Sequence, residues 1–252
     1  SDLPEDHPLG KAGRLTLEAL SPQHVPAFNL QISSTIPISA GLGSGAAITV
    51  AVIRGVSAFL GRPLPDQQVS DLAYEVEKIY HGNPSGIDNN VITYGKPVYF
   101  TRLEPIEFLQ IDHPTHWIIA DTGEKTPTRE TVSAVHALHA ADSAGYDEIF
   151  GSIGRVVEKA RAVLPQGDLT ALGWLMNENQ RLLEKLSVSS PSLEKLIEAA
   201  RAAGAVGAKL SGGGRGGNMI ALVEKPYIDK VKAALLEAGA VRVISTTLAE
   251  GK

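Results

Sequence analysis

Apolar and polar positions alternate along the chain so as to predict strands that run into glycine-rich turns and helices that leave them. A charged, proline-bearing start leads to a short helical pattern with Leu9, Leu15, Leu17 and Leu20. Phe28, Leu30, Ile32 and Ile36 follow an imperfect period of two, which predicts a strand. Residues 46–60 are nearly all apolar, which predicts a helix buried on most sides and stopped by Gly61 and Pro63. Asp66 fits the N-cap of the next helix, whose stripe is Val69, Leu72, Ala73, Val76 and Tyr80. At about 100° per residue Glu77 borders that stripe, roughly 40° from Ala73, whereas Glu75 points to the polar side.

Residues 80–90 are rich in turn formers and read as a loop. Ile87 and Asp88 followed by Val91, Ile92 and Tyr94, then residues 97–100 and 106–111, predict short strands of a mostly antiparallel sheet. Residues 116–120 predict a buried strand. A polar loop follows, with Thr126 as cap and Pro127 at the first helical position. The texture changes here, and the expected domains are 1–114 and 115–252. Helices are predicted over 128–141, 146–164, 168–186 and 191–203, the last capped by Ser190. A strand over 206–210 enters a second glycine loop, 211–217, and is followed by a strand over 218–223, a helix over 226–238 and a strand over 241–248.

Composition narrows the partners. The 252 residues are 43% hydrophobic and 20% charged, ordinary values for a globular chain. A net charge of −5 argues against nucleic acid or an anionic membrane and favours a small-molecule partner. The absence of cysteine excludes disulfides, thiolate metal sites and cysteine catalysis, and it fits a cytoplasmic location.

Three glycines at 41, 43 and 45, set between a strand and a helix start, form a candidate anion cradle. They lack the lysine of the nucleotide loop and the spacing of the dinucleotide fingerprint. With the second glycine loop and the acidic 80–90 run they suggest phosphoryl transfer, which needs positioning, Mg²⁺ and a group that orients or deprotonates the attacking hydroxyl. Glu77 is the candidate Mg²⁺ ligand and Asp88 the candidate base; the alternatives are a solvated carboxylate and a turn aspartate. His81 reads as structural. His136 and His139, three apart on a helix, read as a solvated face.

The run Pro37 to Ala47 resembles the second motif of the GHMP kinase superfamily, and Lys209-Leu210-Ser211-Gly212-Gly213-Gly214-Arg215-Gly216-Gly217 resembles its third. Between them, Glu77 and His81-Gly82-Asn83-Pro84-Ser85-Gly86-Ile87-Asp88-Asn89 resemble the mevalonate kinase family in particular. The resemblance implies an α+β fold, with an incomplete N-terminal domain of the ribosomal-protein-S5 type, a ferredoxin-like C-terminal domain and a cleft site between them. It implies ATP- and Mg²⁺-dependent phosphorylation of the 5-hydroxyl of mevalonate in isoprenoid synthesis, without nucleic acid or membrane partners and compatible with a homodimer. By the same resemblance Asp88 is catalytic, Gly41, Leu42, Gly43, Ser44, Gly45 and Ala46 hold the triphosphate, and Glu77 with Ser44 serves the metal. Ser85, Asp88, Thr128, Ser211, Gly212 and Gly213 face the substrate. A sibling small-molecule kinase, a mevalonate-pathway decarboxylase and a non-catalytic binding member are the alternatives.

Three departures accompany the resemblance. Gly45 stands where the family has a serine that ligates magnesium, which leaves Glu77, phosphate, water or Ser44 for the metal. Arg215 replaces a usual glycine and reads either as a bidentate phosphate ligand or as a solvated loop residue. The family's first motif, with its catalytic lysine, has no counterpart before His7; the expectation is a missing N-terminal segment and weak or no activity for residues 1–252 alone.

Overall fold

The first helix, α1 (Pro8–Leu20), starts where Pro8 supplies a preset φ and the His7 ring Nδ1 accepts from the Leu9 N–H. In this computed structural model the described residues are 4, 7–36, 42–81, 84–101 and 104–249, apart from the side chains of residues 80 and 81. The chain falls into two units, Ser1–Phe108 and Leu109–Lys252.

In the first unit α1 packs with α2 (Ser44–Phe59) and α3 (Asp66–His81). Val50, Val52, Ile53 and Val56 of α2 meet Val69, Ala73 and Val76 of α3 in one buried cluster, together with Ala12 of α1. Each of these valines and the isoleucine contributes about 1.5–3 kcal/mol when fully buried. Asp66 is the first residue of α3, and its carboxylate accepts from Arg54 Nη2 at 2.7 Å; the same nitrogen donates to the Thr93 carbonyl at 2.6 Å. A fourth helix, α4 (Ile87–Tyr94), precedes an antiparallel ribbon of β1 (Val98–Tyr99) and β2 (Glu107–Phe108).

Two expectations fail in this unit. Residues 22–36 form no strand; Val25, Phe28, Leu30 and Ile32 stay exposed, and Phe28 rests on the Phe59 ring at 5.0 Å. Alternation supplies a face, but a strand exists only through pairing, and among the described residues no strand pairs with this segment. The run from Ile87 to Tyr94 is helix, not strand. Gly86 and Gly95 cap it in left-handed conformations (φ 90° and 60°), and Asn89, Asn90 and Thr93 form its buried face while Ile87 and Val91 stay exposed. Of its aliphatic residues only Ile92 packs, partly buried, on the α2–α3 cluster, so apolar positions do not mark the helical period.

The second unit is built on a four-stranded antiparallel sheet. After β3 (Thr115–Asp121) come α5 (Thr128–Ala141), α6 (Ser143–Val163), α7 (Leu169–Lys185) and α8 (Pro191–Ala202). Then follow β4 (Gly207–Ser211), β5 (Asn218–Val223), α9 (Ile228–Glu237) and β6 (Arg242–Leu248). The strand order is β4-β5-β3-β6, with Ile118 opposite Ala221 on one side and Ser245 on the other. This is a ferredoxin-like β-α-β-β-α-β arrangement whose first crossover is expanded into four helices. Ile118, Met219, Leu193, Ile197, Val231 and Leu235 fill the core against α8 and α9, and Leu222 meets Leu172 and Met176 of α7 on the other face. Ser190 caps α8 as expected, its hydroxyl accepting from the Leu193 N–H. Thr126 does not cap α5: Pro127 holds that position, and the Thr126 hydroxyl donates to the Arg215 carbonyl at 2.6 Å.

The outer edge of β4 is covered by side chains of α7 and α8. Asn177 Oδ1 accepts from the Ala208 N–H, Gln180 Oε1 accepts from the Leu210 N–H, and Arg201 Nη2 donates to the Ala208 carbonyl. Backbones meet where two glycines face each other: a Cβ on Gly207 would lie 2.5 Å from the Gly173 carbonyl oxygen.

Candidate active site

The first glycine loop delivers the chain into α2 through Gly43, which is left-handed (φ 66°) and offers no side-chain cap. The amides of Ser44, Gly45 and Ala46 therefore open the helix without a capping oxygen, at its positive dipole end. Such an end suits an anion. Leu42, Ser44 and Gly45 are half-buried and Ala46 is buried; Gly41 lies outside the described residues.

Asp88 sits in the first turn of α4 and is exposed. A Cβ on Gly43 would lie 3.9 Å from the Asp88 carboxyl carbon and 3.8 Å from Ile92, so the carboxylate stands directly against the glycine loop. Glu77, on α3, is only 4% exposed. Its place beside the apolar stripe was legible; its burial was not. Glu75 is on the wet side, paired with Lys78. Ser85 is exposed, and its hydroxyl accepts from the Ile87 N–H, shaping the entry to α4. Ser70, Asn89 and Asn90, to which the sequence pattern assigns no role, are all buried, and Ser70 on α3 is hydrogen-bonded to both asparagines of α4. The available signal was the position of Ser70, seven residues before Glu77 and hence on the same helix face.

In the second unit the loop 211–217 is bound at both ends. The Arg215 N–H donates to the Val188 carbonyl at 2.7 Å and Gly217 N–H to the Glu124 carbonyl at 2.9 Å. Arg215 has φ 56°, and its Nε donates at 3.2 Å to the carbonyl of Ser187, itself left-handed at φ 62°. The Arg215 side chain is thus bonded just beyond the end of α7 through Nε, in an exposed contact that is compatible with both readings of its guanidinium. Thr128 lies against this loop, since a Cβ on Gly213 would come within 3.1 Å of its hydroxyl. Ser211 closes β4 opposite Asn218, and Gly212 is exposed.

His139 Nε2 pairs with Asp147 of α6 at 2.9 Å, an acidic partner that the helix spacing alone did not show. Among the described residues no group of three His, Asp or Glu side chains could hold a metal. No helix among them is long and apolar enough to cross a membrane.

Burial pushes the Lys209 ammonium down to about 8 from its ordinary 10.5, while its Nζ donates to the Leu210 carbonyl at 2.6 Å. The unfolded chain holds this proton between about pH 8 and 10.5 where the folded chain has lost it, so stability rises with pH across that window. Lys209→Met is expected to flatten the rise and to add about 1–2 kcal/mol at pH 7, a value discounted because Lys209 keeps part of its surface in water. Urea unfolding at pH 7 and pH 10 checks both effects.

Comparison with known proteins follows the same division. The GHMP kinase N-terminal domain model matches residues 9–96 and the C-terminal model residues 160–241. The chain is 36% identical over 231 residues to the mevalonate kinase of Pyrococcus horikoshii, covering 89% of this chain and 68% of that protein. It is 36% identical over 229 residues to the mevalonate kinase of Methanocaldococcus jannaschii, covering 88% and 69%. Among solved structures it resembles L. major mevalonate kinase in complex with R-mevalonate, with TM-score 0.85 and 28% identity over 98% of this chain and 78% of that one. It also resembles Methanococcus jannaschii mevalonate kinase, with TM-score 0.83 and 30% identity over 97% and 75%. Two domain models in the right order and relatives matched over two thirds of their own length agree with the loops and carboxylates described above: the chain belongs to the mevalonate kinase family of the GHMP kinases.

Proposed function

We propose that the protein transfers the γ-phosphoryl group of ATP to the 5-hydroxyl of mevalonate. The observation that carries this reading is the Asp88 carboxylate standing against Gly43 at the uncapped start of α2. The backbone amides of Leu42 to Ala46, with Gly41, bind the triphosphate, and the helix end favours its charge. Asp88 orients the attacking hydroxyl and accepts its proton as the oxygen bonds to the γ-phosphorus and ADP departs with the electrons of the broken P–O bond. Ser85, Thr128, Ser211, Gly212 and Gly213 orient the acceptor.

Glu77 and Ser44 fit Mg²⁺: one is a buried carboxylate and the other a hydroxyl at a helix start, the hard oxygen donors this ion takes alongside phosphate and water. When bound, the ion neutralises charge on the phosphates. Gly45 has no hydroxyl to offer, so Glu77 is the main protein ligand in this reading. Functional domains at 1–114 and 115–252, a cytoplasmic location and a homodimer belong to the same proposal. The start of β3 at Thr115 supports the division; fractionation and light scattering test the other two.

Full-length protein is expected to release ADP in a coupled assay that depends on both ATP and R-mevalonate, and to do so at background rate with phosphomevalonate, galactose or homoserine. Preferred turnover of any of those three would replace the substrate assignment.

A further inference from the structure

We propose that Ser70, Asn89 and Asn90 are positioning residues of the phosphoryl transfer: their buried hydrogen-bond chain sets where α4 holds Asp88. The inference rests on Asp88 being the reacting carboxylate. Ser70 is 1% exposed on α3, and Asn89 and Asn90 are 4% and 8% exposed on α4. Asn89 Nδ2 donates to the Ser70 hydroxyl at 2.9 Å and to the Ser70 carbonyl at 3.2 Å. The Ser70 hydroxyl donates in turn to Asn90 Oδ1 at 2.7 Å, and Asn90 Nδ2 donates to the carbonyl of Gly86, the left-handed cap of α4, at 2.6 Å. One hydroxyl thus joins α3 to the cap and to two residues in the first turn of α4. Asp88 lies inside that bracket and points elsewhere, toward Gly43.

Packing alone would hold α4 poorly. It has only eight residues, its buried residues are Asn89, Asn90 and Thr93, Ile87 and Val91 are exposed, and of its aliphatic side chains only Ile92 packs, partly buried, on the α2–α3 cluster. Directional bonds therefore fix its roll about its own axis. A carboxylate about 5–6 Å from a helix axis moves by roughly 2 Å for a roll of about 20°. A misplacement of about 1 Å can cost on the order of 100-fold in rate. Ser70 also lies two turns from Glu77 on one face of α3, so the chain of bonds references Asp88 to the same face that carries the proposed metal ligand.

Ser70→Ala and Asn90→Asp in the full-length protein test this. The first removes the shared hydroxyl; the second keeps the shape but cannot donate to Gly86. Both are expected to lower kcat by about 10- to 100-fold with KM for ATP within about twofold. Thr16→Val, which removes a buried hydroxyl bonded to the Ala12 carbonyl on α1, is the control: it lowers Tm and leaves kcat unchanged. In an Asp88→Asn background the same two changes are expected to have no further effect on residual turnover, because the group they position is gone. Wild-type kcat in folded Ser70→Ala and Asn90→Asp, or an equal loss in both backgrounds, would overturn the inference. If Ser70→Ala does not fold, Asn90→Asp carries the same comparison. Full activity of Asp88→Asn alone would instead remove the assignment of Asp88 on which the inference stands.

Discussion

Asp88→Asn is expected to lower turnover by about 10²- to 10⁴-fold while ATP affinity stays within about twofold. Asparagine keeps the size of the side chain and removes the proton acceptor. The fold loses little, because Asp88 is exposed and its carboxylate makes no hydrogen bond or ion pair among the described residues. A negative charge in the first turn of a helix is worth only about 0.3–1 kcal/mol at an exposed site. Steady-state kinetics and ATP titration calorimetry separate the two effects. Parallel loss of turnover and ATP affinity would assign Asp88 to building the glycine loop, not to the reacting hydroxyl.

Gly214→Ala is expected to have the largest structural effect. Gly214 has φ 78°, and an added Cβ would overlap the Val188 carbonyl oxygen, the atom that accepts from the Arg215 N–H. Neither neighbour can yield cheaply: Val188 is buried in the core, and Arg215 is tied to Ser187 and Thr126. Displacing the loop from the end of α7 is expected to cost about 3 kcal/mol or more. Activity falls with it if Ser211 to Gly213 orient the acceptor. Gly212→Ala is the contrast, since a Cβ there meets nothing within 4 Å; at φ 87° it adds backbone strain alone, of order 1–3 kcal/mol. Denaturant midpoints of the two variants, with KM for mevalonate, check the order.

Helices with an apolar stripe and clear punctuation were legible. The pattern predicts α5 over 128–141 and β5 over 218–223, and both are found at those bounds, while α8 differs by one residue. The misses share a cause. Strand pairing is not a property of one segment, so residues 28–36 carry a strand pattern without becoming a strand. Helix α4 turns asparagines inward to meet a serine 19 and 20 residues away, and no periodicity of apolar residues marks such a face. Thr126 reads as a local cap, but its partner is the carbonyl of Arg215, 89 residues distant. The candidate site was legible in its glycines and carboxylates, whose spacing is local. What was not legible is what holds them: the burial of Glu77, the bracket around Asp88 and the tether of Arg215 all depend on groups far along the chain.

The cover over β4 has a further consequence for how copies of this protein meet one another. A bare sheet margin is a template on which another chain's strand can add. At β4 the amide side chains of Asn177 and Gln180 and the guanidinium of Arg201 already occupy the groups that an incoming strand would need. Lateral growth of the sheet is blocked at that margin. The opposite margin of this sheet, β6, has β3 as its one strand neighbour among the described residues, so it is the margin of this sheet at which strand addition from a partly unfolded population is expected.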